Sequence, residues 1–114
     1  RQIGAVYEEK AARFLEGQGL RMVARNYRCR TGEIDLIAKD GETLVFVEVK
    51  YRRSGQQGSA LQAVDIRKQR TLTKVAAWYL AAQASGFDTS CRFDVVAFDG
   101  DEVTWIPDAF EACF

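Results

Sequence analysis

Histidine is absent from this chain of 114 residues, and proline and methionine each occur once. Ser-His-Asp and Cys-His catalysis both need an imidazole base, so neither can operate here. Nucleases with a histidine base and hydrolases with a histidine-bound zinc are excluded for the same reason. Hydrolytic chemistry is left to carboxylates that hold Mg²⁺ or Mn²⁺, with lysine assisting.

Cysteine is also scarce, since Cys29, Cys91 and Cys113 stand far apart and form no CxxC pair. Three isolated thiols without histidine partners argue against a zinc site, and unpaired thiols fit a reducing cytoplasm. No apolar run approaches the length of a membrane span, and no signal-peptide pattern opens the chain. The sequence therefore predicts a cytoplasmic protein without membrane contact.

Acidic and basic residues balance overall but are unevenly distributed. Residues 1–87 carry 15 Lys and Arg against nine Asp and Glu, whereas residues 88–114 carry Arg92 against seven acids. A neutral total normally argues weakly against nucleic-acid binding. Because binding depends on a local basic face, the segregation weakens that objection.

Length and hydrophobic periodicity predict a single α/β domain over residues 1–114, with a mixed sheet and the element order αβββαββ. Residues 51–59 are expected to form a mobile basic loop, and the tail from about 107 to 114 is expected to be loose. Outside the central hairpin, helices are predicted at residues 3–18 and 61–84. Strands are predicted at Leu20–Arg28, Arg92–Phe98 and Val103–Ile106.

Charged residues interrupt the segment GEIDLIAKDGETLVFVEVK (residues 32–50), which predicts two strands around an Asp-Gly turn. Asp35 lies in the first strand, and Glu48 and Lys50 lie in the second. Burying a carboxylate costs several kcal/mol unless it is paired or bound to a cation. Two acids and an ammonium on one hairpin face indicate a divalent-metal site beside a lysine. A surface ion-pair ladder between Glu48 and Lys50 is the structural alternative.

The register of this hairpin decides whether the acids can meet. With Asp40-Gly41 as a two-residue loop, Asp35 lies opposite Phe46 and diagonal to Glu48, roughly 7–8 Å away between backbones. Two metal–oxygen bonds of about 2.0–2.5 Å can bridge that gap. A three-residue loop would shift the register by one residue and turn Asp35 to the other face.

Further charged residues complete the candidate set. Glu8 lies at the edge of the apolar stripe of the first helix, where it is either a third acid leaning into the site or an ordinary boundary glutamate. A basic stripe on the second helix ends at Trp78, which favours phosphate contact, although a solvated helix face is the alternative. The candidate phosphate contacts there and after Lys50 are Arg52, Arg53, Arg67, Arg70 and Lys74. None of these spacings reads base sequence, so structure-selective binding is favoured.

A resemblance runs over about residues 4–110. The segments that carry it are Glu8-x-x-Ala11 with Phe14-Leu15, Arg25-Asn26, Gly32-Glu33-Ile34-Asp35-Leu36-Ile37, Asp40-Gly41, Val45-Phe46-Val47-Glu48-Val49-Lys50, Gly58, Ala63-Val64, Lys68 and Arg92-Phe93-Asp94-Val95-Val96. With them the chain resembles the bacterial YraN family of small endonuclease-like proteins. That family is similar to archaeal Holliday-junction resolvases and to the PD-(D/E)xK nuclease superfamily, which implies a restriction-endonuclease-like core.

The resemblance also implies roles. Asp35 and Glu48 look like metal-binding carboxylates, the backbone carbonyl of Val49 like a further ligand, and Glu8 like a ligand that is direct or bridged by water. Lys50 looks like the residue that orients or deprotonates the attacking water or stabilises the pentavalent phosphate. The superfamily's proline before the first acid is replaced here by Ile34.

Together these features predict an endonuclease that uses Mg²⁺ or Mn²⁺ to hydrolyse DNA, with selectivity for branched or damaged structures. A homodimer would let it cut two strands symmetrically. The alternatives are a non-catalytic nucleic-acid-binding module that kept the fold, and a nuclease directed at RNA.

Overall fold

The computed structural model describes residues 2–52, 64–83 and 89–113. The elements are α1 (Gln2–Gly17), β1 (Arg21–Arg28), β2 (Glu33–Asp40), β3 (Thr43–Arg52), α2 (Ile66–Ala82), β4 (Cys91–Asp99) and β5 (Glu102–Phe110). This is the predicted order, αβββαββ, and it confirms the α/β class. Neither helix, within the described residues, is long and apolar enough to cross a membrane.

The five strands form one mixed sheet in the order β1-β2-β3-β4-β5. Only β3 and β4 are parallel, and the other neighbouring pairs are antiparallel. A parallel pair needs a crossover rather than a hairpin, and the connection that contains α2 supplies it. This crossover brings α2 over the hairpin that carries the candidate acids.

Within residues 2–52, 64–83 and 89–113, each face of the sheet is covered by one helix. Leu36 and Val47 pack toward α1, whereas Ile37 and Phe46 pack toward α2. The run Leu44–Glu48 is therefore buried along its whole length. Covering on both faces explains why β3 is a nearly continuous apolar run rather than an alternating one.

The start of α2 is set by an N-cap. The side chain of Asp65 accepts a hydrogen bond from the Lys68 N–H at 2.9 Å, which satisfies one free donor of the first turn. The described helix therefore begins at Ile66, later than the predicted residue 61, and residues 61–63 lie outside the described ranges. Below the helix, a Cβ on Gly32 would lie 2.8 Å from the Thr71 methyl group, so this turn needs glycine for close packing.

The C-terminal strand continues past its predicted end. β5 runs through Pro107 to Phe110, and the Cys113 N–H donates to the Thr73 hydroxyl at 3.0 Å. Proline fits because β5 is an edge strand and its register shifts beside Pro107, where Asp108 has a φ of 52°. The expected loose tail is therefore wrong for residues 107–110, which belong to β5.

A buried aspartate holds β4 and β5 together. Asp94 is fully buried and accepts hydrogen bonds from the Arg92 side chain at 2.9 and 3.2 Å, from Trp105 Nε1 at 3.0 Å and from the Asp108 N–H at 2.9 Å. Arg92 also donates to Asp40 at 3.0 Å. A buried carboxylate with this many donors is a structural anchor. The segment Arg92-Phe93-Asp94 therefore has a role in holding β4 and β5 together.

Candidate metal centre

The hairpin between β2 and β3 turns through two residues, Gly41 and Glu42, and Asp40 pairs with Thr43. The expected loop, Asp40-Gly41, has the right length but starts one residue too early. Asp40 remains in β2, where its carboxylate accepts from Arg92. Because the loop length is still even, the faces assigned to the two strands are retained.

The register brings the two acids closer than expected. Phe46 pairs with Ile37, so the predicted pairing of Asp35 with Phe46 is wrong by two residues. Continued one step beyond its last pair, the same register puts Asp35 opposite Glu48, on the face that Phe46 presents to α2. Directly opposite residues have Cβ atoms about 5 Å apart, against the diagonal 7–8 Å of the prediction.

Asp35 is held by the backbone of the opposite strand. Its Oδ2 accepts a hydrogen bond from the Val49 N–H at 2.8 Å. Burial, followed by the negative charge of Glu48, raises the pKa of Asp35 to about 7, while the Val49 N–H and the Lys68 charge act in the opposite direction. A proton on Asp35 would also let it donate to Glu48, which raises the pKa further. The negative charge of Glu48 therefore disfavours the ionised form of Asp35.

Glu48 is 4% exposed and lies between two lysines. Its Oε2 is 3.4 Å from the Lys50 Nζ and 3.5 Å from the Lys68 Nζ. Its Oε1 is buried and has no hydrogen-bond partner within the described residues. A buried carboxylate oxygen without a partner is costly, and this one lies beside a second acid, Asp35, which is half-buried.

These residues fit a hard divalent cation. Mg²⁺ needs only one or two carboxylates when water and a substrate phosphate fill the remaining positions. Across residues 2–52, 64–83 and 89–113, no three Asp, Glu, Cys or His side chains converge as a metal cluster. The protein would therefore supply the Asp35 and Glu48 carboxylates. The Val49 carbonyl stays a predicted ligand, because the contact seen for Val49 is made by its N–H.

Lys68 contacts the candidate centre, although the sequence predicted no role for it there. It lies on α2 and contacts Glu48, although it falls outside the basic stripe of that helix. The helical spacing indicates this position, because Lys68 lies one turn before Leu72 and two turns before Val75, both of which are buried. A lysine at the edge of a buried stripe is placed to reach the sheet.

An open depression adjoins the two lysines. It has a volume of about 370 Å³ and is lined by Lys50, Asp65, Arg67, Lys68 and Thr71. Three cations thus outnumber the one carboxylate, the N-cap Asp65, around a space next to the Asp35–Glu48 pair. Positive side chains and a helix N-terminus both favour an anion.

Glu8 occupies a neighbouring polar cluster. With the Asn26 amide oriented to satisfy its neighbours, the amide nitrogen donates to Glu33 at 2.8 Å and to Glu8 at 3.1 Å. Asn26 adopts a left-handed φ of 52°, which asparagine tolerates better than most residues. The structure therefore joins Glu8 to Asn26 and Glu33, and its role as a metal ligand stays a prediction.

The predicted phosphate contacts divide between two places. Arg52 is half-buried at the end of β3, whereas Arg67, Arg70 and Lys74 are exposed on one side of α2. Arg53 lies outside the described residues. The α2 sequence contains no acid among its 17 residues, so no negative charge on the helix opposes this basic stripe.

The fold and site together define an α/β protein in which a mixed sheet carries two adjacent acids and a lysine at one hairpin. A family model described as "Uncharacterised protein family UPF0102" matches residues 7–98. The chain is 53% identical over 111 residues to the UPF0102 protein YraN of Salmonella arizonae, covering 96% of this chain and 85% of the relative. It is 50% identical over 111 residues to a UPF0102 protein of Klebsiella pneumoniae, covering 96% and 87%. The chain belongs to the UPF0102 (YraN) family, which confirms the resemblance.

Proposed function

We propose that this protein is a metal-dependent endonuclease that hydrolyses phosphodiester bonds in structured DNA. The observation that carries the proposal is the pair formed by half-buried Asp35 and buried Glu48, in which one oxygen of Glu48 has no partner among the described residues. An acid whose ionised form is disfavoured by burial and by a neighbouring carboxylate is an unfavourable arrangement for a purely structural site. A divalent cation between them would relieve both the repulsion and the missing hydrogen bond.

Each side chain has a distinct task in this chemistry. Asp35 and Glu48 would hold Mg²⁺ or Mn²⁺, which supplies charge stabilisation on the phosphate and lowers the pKa of a bound water. The Val49 N–H fixes the Asp35 carboxylate. Lys50 and Lys68 fix one oxygen of Glu48 and line the depression where a phosphate would lie. Their ammonium groups are placed to stabilise negative charge as the new P–O bond forms and the ester bond breaks.

The acids also argue against the non-catalytic alternative. A module that only bound nucleic acid would gain nothing from two carboxylates beside its phosphate-binding lysines, because like charges repel. An RNA-directed nuclease needs the same centre, so only the choice of substrate separates it from the DNA enzyme.

Cleavage assays with Mg²⁺ or Mn²⁺ test this proposal on a four-way junction, a flap, plain duplex, single-stranded DNA and RNA. We expect metal-dependent cutting of branched DNA that is lost in Glu48→Gln. Glu42→Gln is the matched control, since Glu42 lies exposed in the hairpin turn. Tight DNA binding without cleavage of any substrate would favour the binding module, and preferential cleavage of RNA would favour the RNA nuclease.

The proposed homodimer has a separate test. Two symmetry-related sites would allow paired cuts across a junction. Sedimentation on junction DNA should show two protein chains per junction. A single chain per junction would remove the dimer and leave single-site hydrolysis in place.

A further inference from the structure

A second open depression lies on α2, away from the acids. It has a volume of about 330 Å³ and is lined by Thr31, Lys74, Ala77, Trp78 and Ala81. Trp78 is 52% exposed, which is unusual for the largest apolar side chain. Neither the proposed metal centre nor the packing of the core requires an indole ring at this position.

Basic side chains of α2 run from this depression to the depression beside the candidate centre. Arg67 lines the first depression, Lys74 lines the second, and both belong to the basic stripe of α2. At 1.5 Å per residue, Arg67 and Trp78 are separated by about 16 Å along the helix. That length corresponds to roughly five steps of B-form DNA at 3.4 Å per step, and to fewer nucleotides of an extended strand.

An exposed indole ring next to a lysine is typical of a site that binds a nucleobase and its phosphate. Nucleobases stack on exposed aromatic rings in proteins that bind single strands, while cations follow the phosphates. Paired bases inside a duplex are stacked on both faces and cannot offer a face to the indole. The occupant must then be an unpaired base, such as one found at a flap, a gap or a branch point.

On the basis of the nuclease function above, we propose that the Trp78 depression binds an unpaired nucleobase of the DNA substrate. Trp78 stacks on the base, and Lys74 contacts the adjoining phosphate. The proposed selectivity for DNA structure then has a physical source. The enzyme favours substrates with single-stranded nucleotides a few positions from the bond that is cut.

The test is binding rather than cleavage, measured by fluorescence anisotropy in EDTA. The probes are oligo-dT, a duplex of the same length, and that duplex with a single-stranded tail. Trp78→Ala should weaken binding of oligo-dT and the tailed duplex about tenfold and leave the plain duplex unchanged, whereas Trp78→Phe should retain most of the affinity. The salt dependence should not change, because no charge is lost. Ile3→Ala is the control, since Ile3 is 62% exposed on α1, which covers the other sheet face.

A direct readout uses the intrinsic fluorescence of the protein. Trp78 is exposed, whereas Trp105 donates to the buried Asp94. Oligo-dT should quench wild-type emission, and Trp78→Phe should remove the quenching.

Binding of oligo-dT without quenching would overturn the proposal. An equal loss of affinity of Trp78→Ala for the plain duplex and the tailed duplex would also overturn it. Dissociation of a protein dimer by Trp78→Ala would instead assign Trp78 to a protein interface. Failure of the nuclease function alone would appear as intact quenching with no cleavage.

Discussion

Replacing Asp35 with asparagine should make the metal-free protein more stable at pH 8 but not at pH 4.5. The carboxylate of Asp35 is destabilised by burial and by the charge of Glu48, which raises its pKa to about 7. Asparagine is uncharged at both pH values. Its oxygen can still accept from the Val49 N–H, and its amide nitrogen can donate to Glu48.

The magnitude follows from proton linkage. The pKa rises from 3.8 to about 7, so the folded protein binds more protons than the unfolded chain between those values. The free energy of unfolding therefore falls as the pH rises through this window and levels off above pH 7. At about 1.4 kcal/mol per pKa unit, the loss is about 4 kcal/mol at most. We expect Asp35→Asn to recover about 2 kcal/mol of it at pH 8, because the amide must itself be desolvated.

Urea denaturation in EDTA at both pH values measures this difference. The comparison with wild type at each pH cancels the other titrating groups. Glu42→Gln should show no gain at either pH, because Glu42 is exposed. A loss of stability in Asp35→Asn at pH 8, or an equal change at both pH values, would show that Asp35 is not a strained acid.

Three further variants separate catalysis, binding and folding. Lys50→Ala should slow cleavage about 100-fold but change DNA affinity only modestly, which single-turnover kinetics and anisotropy distinguish. Arg70→Ala combined with Lys74→Ala should weaken binding to all sequences and flatten the salt dependence by up to about two units of slope. Equal losses of affinity in Lys50→Ala and in this double variant would assign Lys50 to binding alone. Asp94→Asn should lower the free energy of unfolding by about 3 kcal/mol in urea, since an amide cannot accept all four hydrogen bonds made to Asp94. An unchanged urea midpoint would contradict its role as an anchor.

The sequence was sufficient to place the two acids on one hairpin face. Short apolar runs interrupted by acids, on either side of an Asp-Gly pair, predict two strands with a short turn, and an even loop preserves the faces. The sequence was not sufficient to fix the register. A two-residue loop can begin at either Asp40 or Gly41, and both choices leave the two acids on the same face. The contact between Asp40 and Arg92, more than 50 positions apart in the chain, favours the second choice.

Lys68 shows a second limit of sequence reasoning. Its contact with Glu48 depends on where α2 crosses the sheet, and a helical pattern fixes only which side of a helix is buried. The continuation of β5 past Pro107 was missed for a related reason. Proline usually ends a strand, but at an edge its missing N–H costs no ladder hydrogen bond. Both outcomes depend on tertiary neighbours that local patterns do not describe.

The most direct test of the metal centre is titration calorimetry of the metal-free protein with Mn²⁺ at pH 8. The Asp35–Glu48 pair predicts weak binding of one ion, lost in both Asp35→Asn and Glu48→Gln and retained in Glu42→Gln. Binding should weaken below pH 7, because a proton on Asp35 competes with the ion. Equal Mn²⁺ affinity in wild type and both variants would contradict the account.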